Sequence, residues 1–259
     1  MCSASHLVSY FPHMAAHFGY DAVWMDAEHR NWNPREIETM LMQHRLADID
    51  CVWRPTSLEK PALSRLLEDG ATGLMIPQVS TAERARQLVA ATKFPPLGDR
   101  GFDGGGIDAG FWINKPKDFP QQANRETFLV VQIETPQAVE NVEEIADVKG
   151  VELLFLGPGD LSLRLGCAAS LKEPKLLAAL KRLSAAGKKY GKPWGCPVGN
   201  IEDAGFIVSL GAQFVVLGNE FWGIHNHLQD SQAKLDGLLG RGVRTGARNI
   251  KQRAKNSRY

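Results

Sequence analysis

Seven short apolar segments alternate with amphipathic segments along the chain, and this alternation predicts a parallel α/β protein. The chain has 259 residues, which is close to the size typical of a (β/α)₈ barrel. The dinucleotide-binding form of the competing open sheet favours a G-x-G-x-x-G motif after its first strand, and no such motif stands there. We therefore predict a (β/α)₈ barrel of the TIM type.

Each predicted strand is a short, nearly continuous apolar run, as expected for parallel strands that are buried on both faces. The seven runs are Asp21–Asp26, Ile49–Arg54, Thr72–Pro77, Phe128–Glu134, Val151–Gly157, Lys192–Cys196 and Gln213–Gly218. A closed barrel needs an eighth strand. We expect Cys2–Ala4 to be the end of that first strand, and the alternatives are a strand from His6–Phe11 or one from the C-terminal tail.

Helices are predicted between the strands from their end signals. Asn33 precedes Pro34, and Thr135 precedes Pro136, so each pair combines a helix-capping side chain with proline at the first helical position. Glycines such as Gly70 and Gly191 mark helix ends. The predicted helices are Pro12–Phe18, Pro34–Gln43, Leu58–Glu68, Thr81–Thr92, Pro136–Ala146, Pro174–Tyr190 and Asn200–Leu210.

Two segments depart from this alternation. Residues 94–127 are rich in Gly, Pro, Asp and Phe, and an irregular connection of this length is usually functional or an interface. Residues 241–259 carry seven Lys or Arg and no acidic residue. We interpret them as a basic tail or a helix docked on a neighbouring subunit, with a nucleic-acid arm as the alternative. The prediction is a single catalytic domain over residues 1–240, followed by this tail.

Composition excludes several classes of protein. The net charge is +1, which argues against a dedicated nucleic-acid binder and against a disordered chain. The four cysteines form no CxxC pair, which is typical of reduced thiols in the cytosol. No apolar run approaches 18 residues, and no signal-peptide pattern follows Met1. We expect a cytoplasmic enzyme that binds no membrane.

Polar side chains accumulate where the predicted strands end, which is the catalytic face of such barrels. Glu134 and Asp160 end neighbouring strands, so their carboxylates can converge. With no protein cation between them they would repel each other, and a hard divalent ion such as Mg²⁺ or Mn²⁺ would relieve that repulsion. The alternative is that each carboxylate caps the helix that follows it.

Two further residues and one turn in this set have a chemical interpretation. Arg54 ends an apolar strand, so it either binds a substrate carboxylate or forms an internal salt bridge. His29 follows Asp26 by three residues and is either an acid/base oriented by that acid or a polar loop residue. The turn Gly157–Gly159 could offer N–H groups to an anion, although such turns are common.

Several motifs, in this order, resemble the HpcH/HpaI aldolase family of metal-dependent 2-oxo-acid aldolases. The resemblance covers about residues 12–220 and depends on the combination of motifs. They are GYDAVWMDAEH (Gly19–His29), WRP (Trp53–Pro55), DGATGLMIPQV (Asp69–Val79), TKFPPLGDRGF (Thr92–Phe102), VVQIETPQAVEN (Val130–Asn141) and LFLGPGDLSLRLG (Leu154–Gly166).

The resemblance implies a (β/α)₈ barrel that assembles into a trimer or hexamer, and a class II aldol reaction through a metal-bound pyruvate enolate and an aldehyde. A divalent ion (Mg²⁺ or Mn²⁺, with Co²⁺ as a further option) would be held by Glu134 and Asp160. In the same way the resemblance implies that Arg54 binds the substrate carboxylate, that Gln132 contacts the oxo-acid, and that the N–H groups of Gly159 and Asp160 bind the pyruvate carboxylate. His29 would be the acid/base, acting either directly or by relaying a metal-bound hydroxide. Asp26 would orient that histidine, and Glu28 would support a metal-bound water.

The sequence also departs from the family pattern. Gly159, the pair Asn219–Glu220 and the glycine-rich stretch Phe102–Trp112 differ from what relatives often carry, and we expect aldehyde specificity and subunit contacts to be set there. Family members carry about 15–25 residues ahead of the position of Met1, so we expect a shortened first strand. The alternatives are a citryl- or malyl-CoA-type lyase and a non-catalytic oligomeric relative.

Overall fold

The computed structural model describes residues 1–241 and contains one sheet of eight parallel strands in chain order. The strands are β1 (Cys2–Ala4), β2 (Ala22–Asp26), β3 (Asp50–Arg54), β4 (Gly73–Ile76), β5 (Phe128–Ile133), β6 (Leu153–Leu156), β7 (Trp194–Pro197) and β8 (Phe214–Val216). The seven strands predicted from apolar runs are all present. The (β/α)₈ prediction is confirmed.

The first strand is the short segment expected from the sequence. β1 pairs with β2 in parallel, with Cys2 opposite Val23. On its other side it meets the end of β8, where the N–H of Leu217 donates to the Met1 carbonyl over 3.0 Å and the N–H of Ser3 donates to the Gly218 carbonyl over 3.0 Å. Cys2–Ala4 therefore nearly closes the barrel, and the alternative of a strand from His6–Phe11 is wrong.

Ten helices follow the strands of the barrel. They are α1 (Phe11–His17), α2 (Pro34–Leu46), α3 (Lys60–Glu68), α4 (Ala82–Thr92), α5 (Phe119–Glu126), α6 (Pro136–Glu140), α7 (Val142–Ala146), α8 (Pro158–Leu165), α9 (Pro174–Tyr190) and α10 (Ile201–Ser209). The predicted helix Pro136–Ala146 is two helices, because Asn141 adopts a non-helical conformation between them (ψ 9°). Helices α5 and α8, which both begin at or next to proline, were not predicted from the sequence.

The chain divides into two compact units, Met1–Asn219 and Glu220–Tyr259. The first unit holds the barrel. In the second, the described residues form one helix, α11 (Glu220–Leu238), which was not predicted. The predicted basic tail lies outside the described residues except for Arg241. Within residues 1–241, no helix has the length and apolar character needed to cross a membrane.

Alternation along the strands separates two apolar layers. One layer lies between the sheet and the helices, and the other fills the interior of the barrel. The interior residues are Ala22, Val52, Met75, Val130, Leu153, Phe155 and Val216, with Trp24, Phe128 and Phe214 packed against them. Residues two positions further along the same strands, Arg54 and Gln132, face the same interior. The apolar filling therefore ends in a polar layer at the carboxyl ends of the strands.

The long connection 94–127 lies at the opposite end of the barrel. It joins the end of α4 to the start of β5, so it belongs to the face where the strands begin. Lys93 anchors it there, because its Nζ donates to the Thr127 carbonyl over 2.6 Å and forms an ion pair with Glu152 over 3.0 Å. Within one protomer this connection therefore lies away from the carboxyl-end face, and the expectation that it sets aldehyde specificity and subunit contacts stays a prediction.

The close pairing of β7 with β8 requires a glycine, and this makes a stability prediction. A Cβ atom on Gly195 would overlap the backbone carbonyl of Phe214 on the neighbouring strand. We expect Gly195→Ala to lower the free energy of unfolding by about 3 kcal/mol, measured by urea denaturation. Gly205→Ala, on an open face of α10, is the matched control and should raise that free energy by about 0.5–1 kcal/mol. Equal stability of the Gly195→Ala variant and the parent protein would contradict the prediction.

Candidate active site

Arg54 is the centre of the polar layer. Its guanidinium is 6% exposed and binds the Asp26 carboxylate in a bidentate manner, with Nε–Oδ1 2.8 Å and Nη2–Oδ2 2.6 Å. Its Nη1 lies 2.8 Å from Glu28 Oε2 and donates to Gln132 Oε1 over 3.3 Å. The guanidinium carbon lies 4.8 Å from the ring centroid of Trp24. The internal salt bridge that the sequence allowed as an alternative is therefore present.

The structure places Asp26 and His29 differently from the predicted pair. The Asp26 carboxylate binds Arg54 and accepts from the N–H of Glu28 over 3.1 Å. The acid beside His29 is instead Glu28, whose Oε2 lies 3.7 Å from the imidazole Nε2. The physical reason is that a buried guanidinium draws the carboxylate at the end of the adjacent strand, which leaves the loop acid to face the imidazole. The His29 side chain is 56% exposed, so it can meet a molecule that enters the barrel mouth.

Glu134 is a buried carboxylate that forms no ion pair with any cation among residues 1–241. It is 2% exposed, and its Oε1 accepts from the N–H of Gln78 over 2.7 Å. Burial raises its pKa to about 7, the negative charge of Asp160 adds to this rise, and the Gln78 hydrogen bond opposes it. A buried carboxylate with a raised pKa is a frequent mark of a functional site.

Asp160 lies in the first turn of α8, close enough to Glu134 to affect its titration. From the sequence alone, we assumed that no protein cation neutralises these two acids. That assumption is wrong for Asp160, because Arg164, one helical turn later, places Nη1 3.0 Å from Asp160 Oδ1. The same Nη1 donates to the backbone carbonyl of Glu134 over 3.3 Å.

Glycine is needed beside this pair of carboxylates. A Cβ atom on Gly157 would overlap Oε2 of Glu134, so the close approach of strand β6 to this carboxylate requires the missing side chain. A Cβ atom on Gly159 would meet nothing within 4 Å, and the N–H groups of Gly159 and Asp160 lie in the first turn of α8, where a helix offers them no carbonyl of its own. This is compatible with the predicted anion contact.

The carboxylates fit a divalent metal by the chemistry of their donors. Glu134 and Asp160 offer hard oxygen ligands, and Mg²⁺ is commonly held by one or two carboxylates with water or substrate completing its coordination. Among the described residues, no group of three or more His, Cys, Asp or Glu side chains is arranged to hold a metal ion. Two carboxylates are therefore the protein ligands that this site can offer.

Three residues near the site were missed from the sequence. Trp24 lies under the guanidinium of Arg54, and Arg164 contacts Asp160. Gln78 adopts a left-handed backbone conformation (φ 55°) that only the tertiary structure reveals. The spacing of four residues between Asp160 and Arg164 on a helix was the one signal available for this set.

The comparisons with known proteins agree with the geometry. The family model described as HpcH/HpaI aldolase/citrate lyase matches residues 8–224. The chain belongs to this family. The resemblance that the motifs indicated is confirmed.

Two curated relatives of this chain are named as aldolases. The chain is 34% identical over 210 residues to a 4-hydroxy-2-oxo-heptane-1,7-dioate aldolase of Escherichia coli, covering 81% of this chain and 80% of that protein. It is also 34% identical over 223 residues to a 2-keto-3-deoxy-L-rhamnonate aldolase of Escherichia coli, covering 83% and 80%. The crystal structure of an HpcH/HpaI aldolase from Desulfitobacterium hafniense is similar with a TM-score of 0.84 and 28% identity, covering 94% of each chain.

The raised pKa of Glu134 predicts a pH-dependent stability in this HpcH/HpaI family member. Because the folded state holds the proton more tightly than the unfolded chain, the contribution of this group to stability falls as the pH rises from about 4.5 to about 7. We expect Glu134→Gln to stabilise the metal-free protein by about 2 kcal/mol more at pH 8 than at pH 5, measured by urea unfolding in the presence of EDTA. An equal effect at both pH values would contradict the raised pKa.

Proposed function

We propose that this protein is a divalent-metal-dependent aldolase that cleaves or forms 4-hydroxy-2-oxo acids, with pyruvate and an aldehyde as the other reactants. The observation that carries the proposal is the buried Glu134 beside Asp160, at the carboxyl-end face of a barrel in the HpcH/HpaI family. Relatives at 34% identity are named as aldolases of 2-oxo acids, which supports this reaction class.

Glu134 and Asp160 would hold Mg²⁺ or Mn²⁺, with Co²⁺ as a further option. When bound, such an ion supplies a Lewis acid that stabilises negative charge on the 2-oxo group of the substrate. The protein contributes the orientation of both carboxylates, since the N–H of Gln78 fixes Glu134 and the Arg164 guanidinium contacts Asp160. A Schiff base has no support, because no strand of the barrel ends in a lysine.

The pyruvate portion would bind between the polar layer and the first turn of α8. The N–H groups of Gly159 and Asp160 would donate to its carboxylate, and Gln132 would contact the oxo-acid. Arg54 would contribute positive charge to the same region. Because Asp26 and Glu28 already engage this guanidinium, its second role is to hold Gln132 in place over 3.3 Å.

His29 would be the acid/base for the aldehyde portion. In the cleavage direction its imidazole would accept the proton of the 4-hydroxyl group as the bond between C3 and C4 breaks and the aldehyde leaves. The C–C bond electrons would pass to the pyruvate portion. Glu28, 3.7 Å away, would stabilise the imidazolium that results. In the synthetic direction the same proton would return to the new hydroxyl group.

A second candidate is a citryl- or malyl-CoA-type lyase, because the matching family model includes citrate lyases. It would use the same two carboxylates and Arg54. The histidine and acid at the mouth, His29 and Glu28, favour the aldolase. Cleavage assays with citryl-CoA and malyl-CoA beside a panel of 4-hydroxy-2-oxo acids would separate the two activities. A non-catalytic relative is disfavoured because the matched polar residues are all present.

We also propose that the protein acts in the cytoplasm as a homo-oligomer, a trimer or a hexamer. Exposed aromatic and apolar side chains on the long connection support an association surface, namely Phe111, Trp112 and Ile113. Since this connection lies at the opposite end of the barrel from Glu134, it could influence aldehyde specificity only at the site of another subunit.

Metal dependence makes the first activity prediction. We expect EDTA to abolish the cleavage of a 4-hydroxy-2-oxo acid, and added Mg²⁺ or Mn²⁺ to restore it, with pyruvate release as the readout. Borohydride with pyruvate should leave the mass of the protein unchanged. A covalent adduct in that experiment would contradict the metal mechanism and indicate a Schiff base.

The proposed role of His29 as the acid/base leads to the second activity prediction. We expect His29→Gln to reduce kcat by about 10²–10⁴-fold, because the proton acceptor is lost. His13→Gln is the control, since the exposed His13 ring contacts Gln43 on the outer helices and should not affect activity. Retention of more than about a third of kcat in His29→Gln would exclude this role.

A further inference from the structure

Arg164 occupies one oxygen of a carboxylate that the proposed function assigns to a metal. Its Nη1 is 3.0 Å from Asp160 Oδ1 and 3.3 Å from the Glu134 carbonyl oxygen, so it bridges the end of β5 and the first turn of α8. The Arg164 side chain is one-third exposed, which leaves its guanidinium free to move away from the carboxylate.

The charges around this contact are distributed unequally. Arg54, the other described guanidinium of the polar layer, is already neutralised by the carboxylates of Asp26 and Glu28. Glu134 takes a backbone N–H rather than a cation. In the metal-free protein, Arg164 therefore supplies the direct ion pair of Asp160.

We propose that Arg164 competes with the divalent metal for Asp160 and so weakens metal binding at this site. The inference rests on the proposed function, because it assumes that Asp160 is a metal ligand. The guanidinium stabilises the metal-free state by pairing with this carboxylate, and it opposes the metal-loaded state because two cations would then share one carboxylate. To fill the metal site, the protein would therefore require a higher concentration of free metal than a variant that lacks Arg164.

Removal of Arg164 would have two opposing effects on metal affinity, and their relative sizes decide whether the affinity rises or falls. Arg164 also orients Asp160, so its loss could weaken metal binding. However, the backbone of Asp160 is fixed in α8, where the Leu161 N–H donates to the Gly157 carbonyl and Ser162 Oγ donates to the Gly159 carbonyl. Only two side-chain torsions of Asp160 would gain freedom, whereas a full positive charge would leave the neighbourhood of a divalent ion. The repulsion is the larger effect.

A simpler explanation is that Asp160 and Arg164 form an ordinary i, i+4 ion pair that stabilises α8. That explanation predicts a change in the stability of the protein and no gain in metal affinity. The two explanations therefore differ in the direction of the effect on metal binding.

The test is a titration of metal-stripped, full-length protein with Mn²⁺, followed by electron paramagnetic resonance of the free ion. We expect Arg164→Gln to lower the Kd for Mn²⁺ about tenfold. Arg164→Lys keeps the positive charge and should stay within about twofold of the parent protein. Arg86→Gln removes an arginine paired with Glu83 on α4, away from the site, and should change nothing.

The outcomes separate this inference from the proposed function. An unchanged or higher Kd in Arg164→Gln, with normal binding by the parent protein, would overturn the competition and leave the metal site intact. If the parent protein does not bind Mn²⁺, or if Asp160→Asn binds it as well as the parent, the metal function itself fails. Circular dichroism checks that each variant is folded, and Arg164→Met replaces Arg164→Gln if the latter is not.

Discussion

The buried guanidinium of Arg54 is the interaction on which the carboxyl-end face of the barrel depends. A positive charge that is 6% exposed must be neutralised at short range, and Asp26 and Glu28 do this from the neighbouring strand and its loop. The same group packs over Trp24, which belongs to the apolar filling, and holds Gln132 from β5. Arg54 therefore joins the apolar interior to the polar layer above it.

The carboxylate of Glu134, on the same face, differs from the guanidinium of Arg54, because it is buried without an ion-pair partner among the described residues. Its raised pKa means that the ionised form is unfavourable in the metal-free protein. The backbone conformation here is also energetically unfavourable, since Gln78 adopts a left-handed conformation in which its N–H donates to this carboxylate. Both the unfavourable ionisation of Glu134 and the backbone strain at Gln78 are explained if a cation binds this carboxylate during function and offsets their free energies.

The topology separates this chemistry from the most unusual part of the sequence. Parallel strands bring every strand end to one face, while the long connection between α4 and β5 necessarily lies on the other. Its anchor is the buried Lys93, which pairs with the partly exposed Glu152 and serves position rather than catalysis. The glycine- and aromatic-rich connection is thus an element of the strand-start face.

The sequence by itself determined the order and approximate bounds of seven strands, because a strand buried on both faces must be an apolar run whatever its neighbours are. The eighth strand, Cys2–Ala4, was expected only because a barrel must close, and the structure decided between it and a strand from His6–Phe11. It also determined that Asp26, Arg54, Glu134 and Asp160 share one face, since each lies at or just after the end of a parallel strand. Only the tertiary structure decided which groups pair: Asp26 with Arg54 rather than His29, and Asp160 with Arg164. The pair Asp160–Arg164 has a local i, i+4 spacing, but that spacing is informative only once α8 is known to be a helix, and this helix was not predicted. The pairing of Asp26 with Arg54 and the left-handed turn at Gln78 depend on distances of a few ångströms between groups on different elements, so neither is encoded in a local pattern of residues.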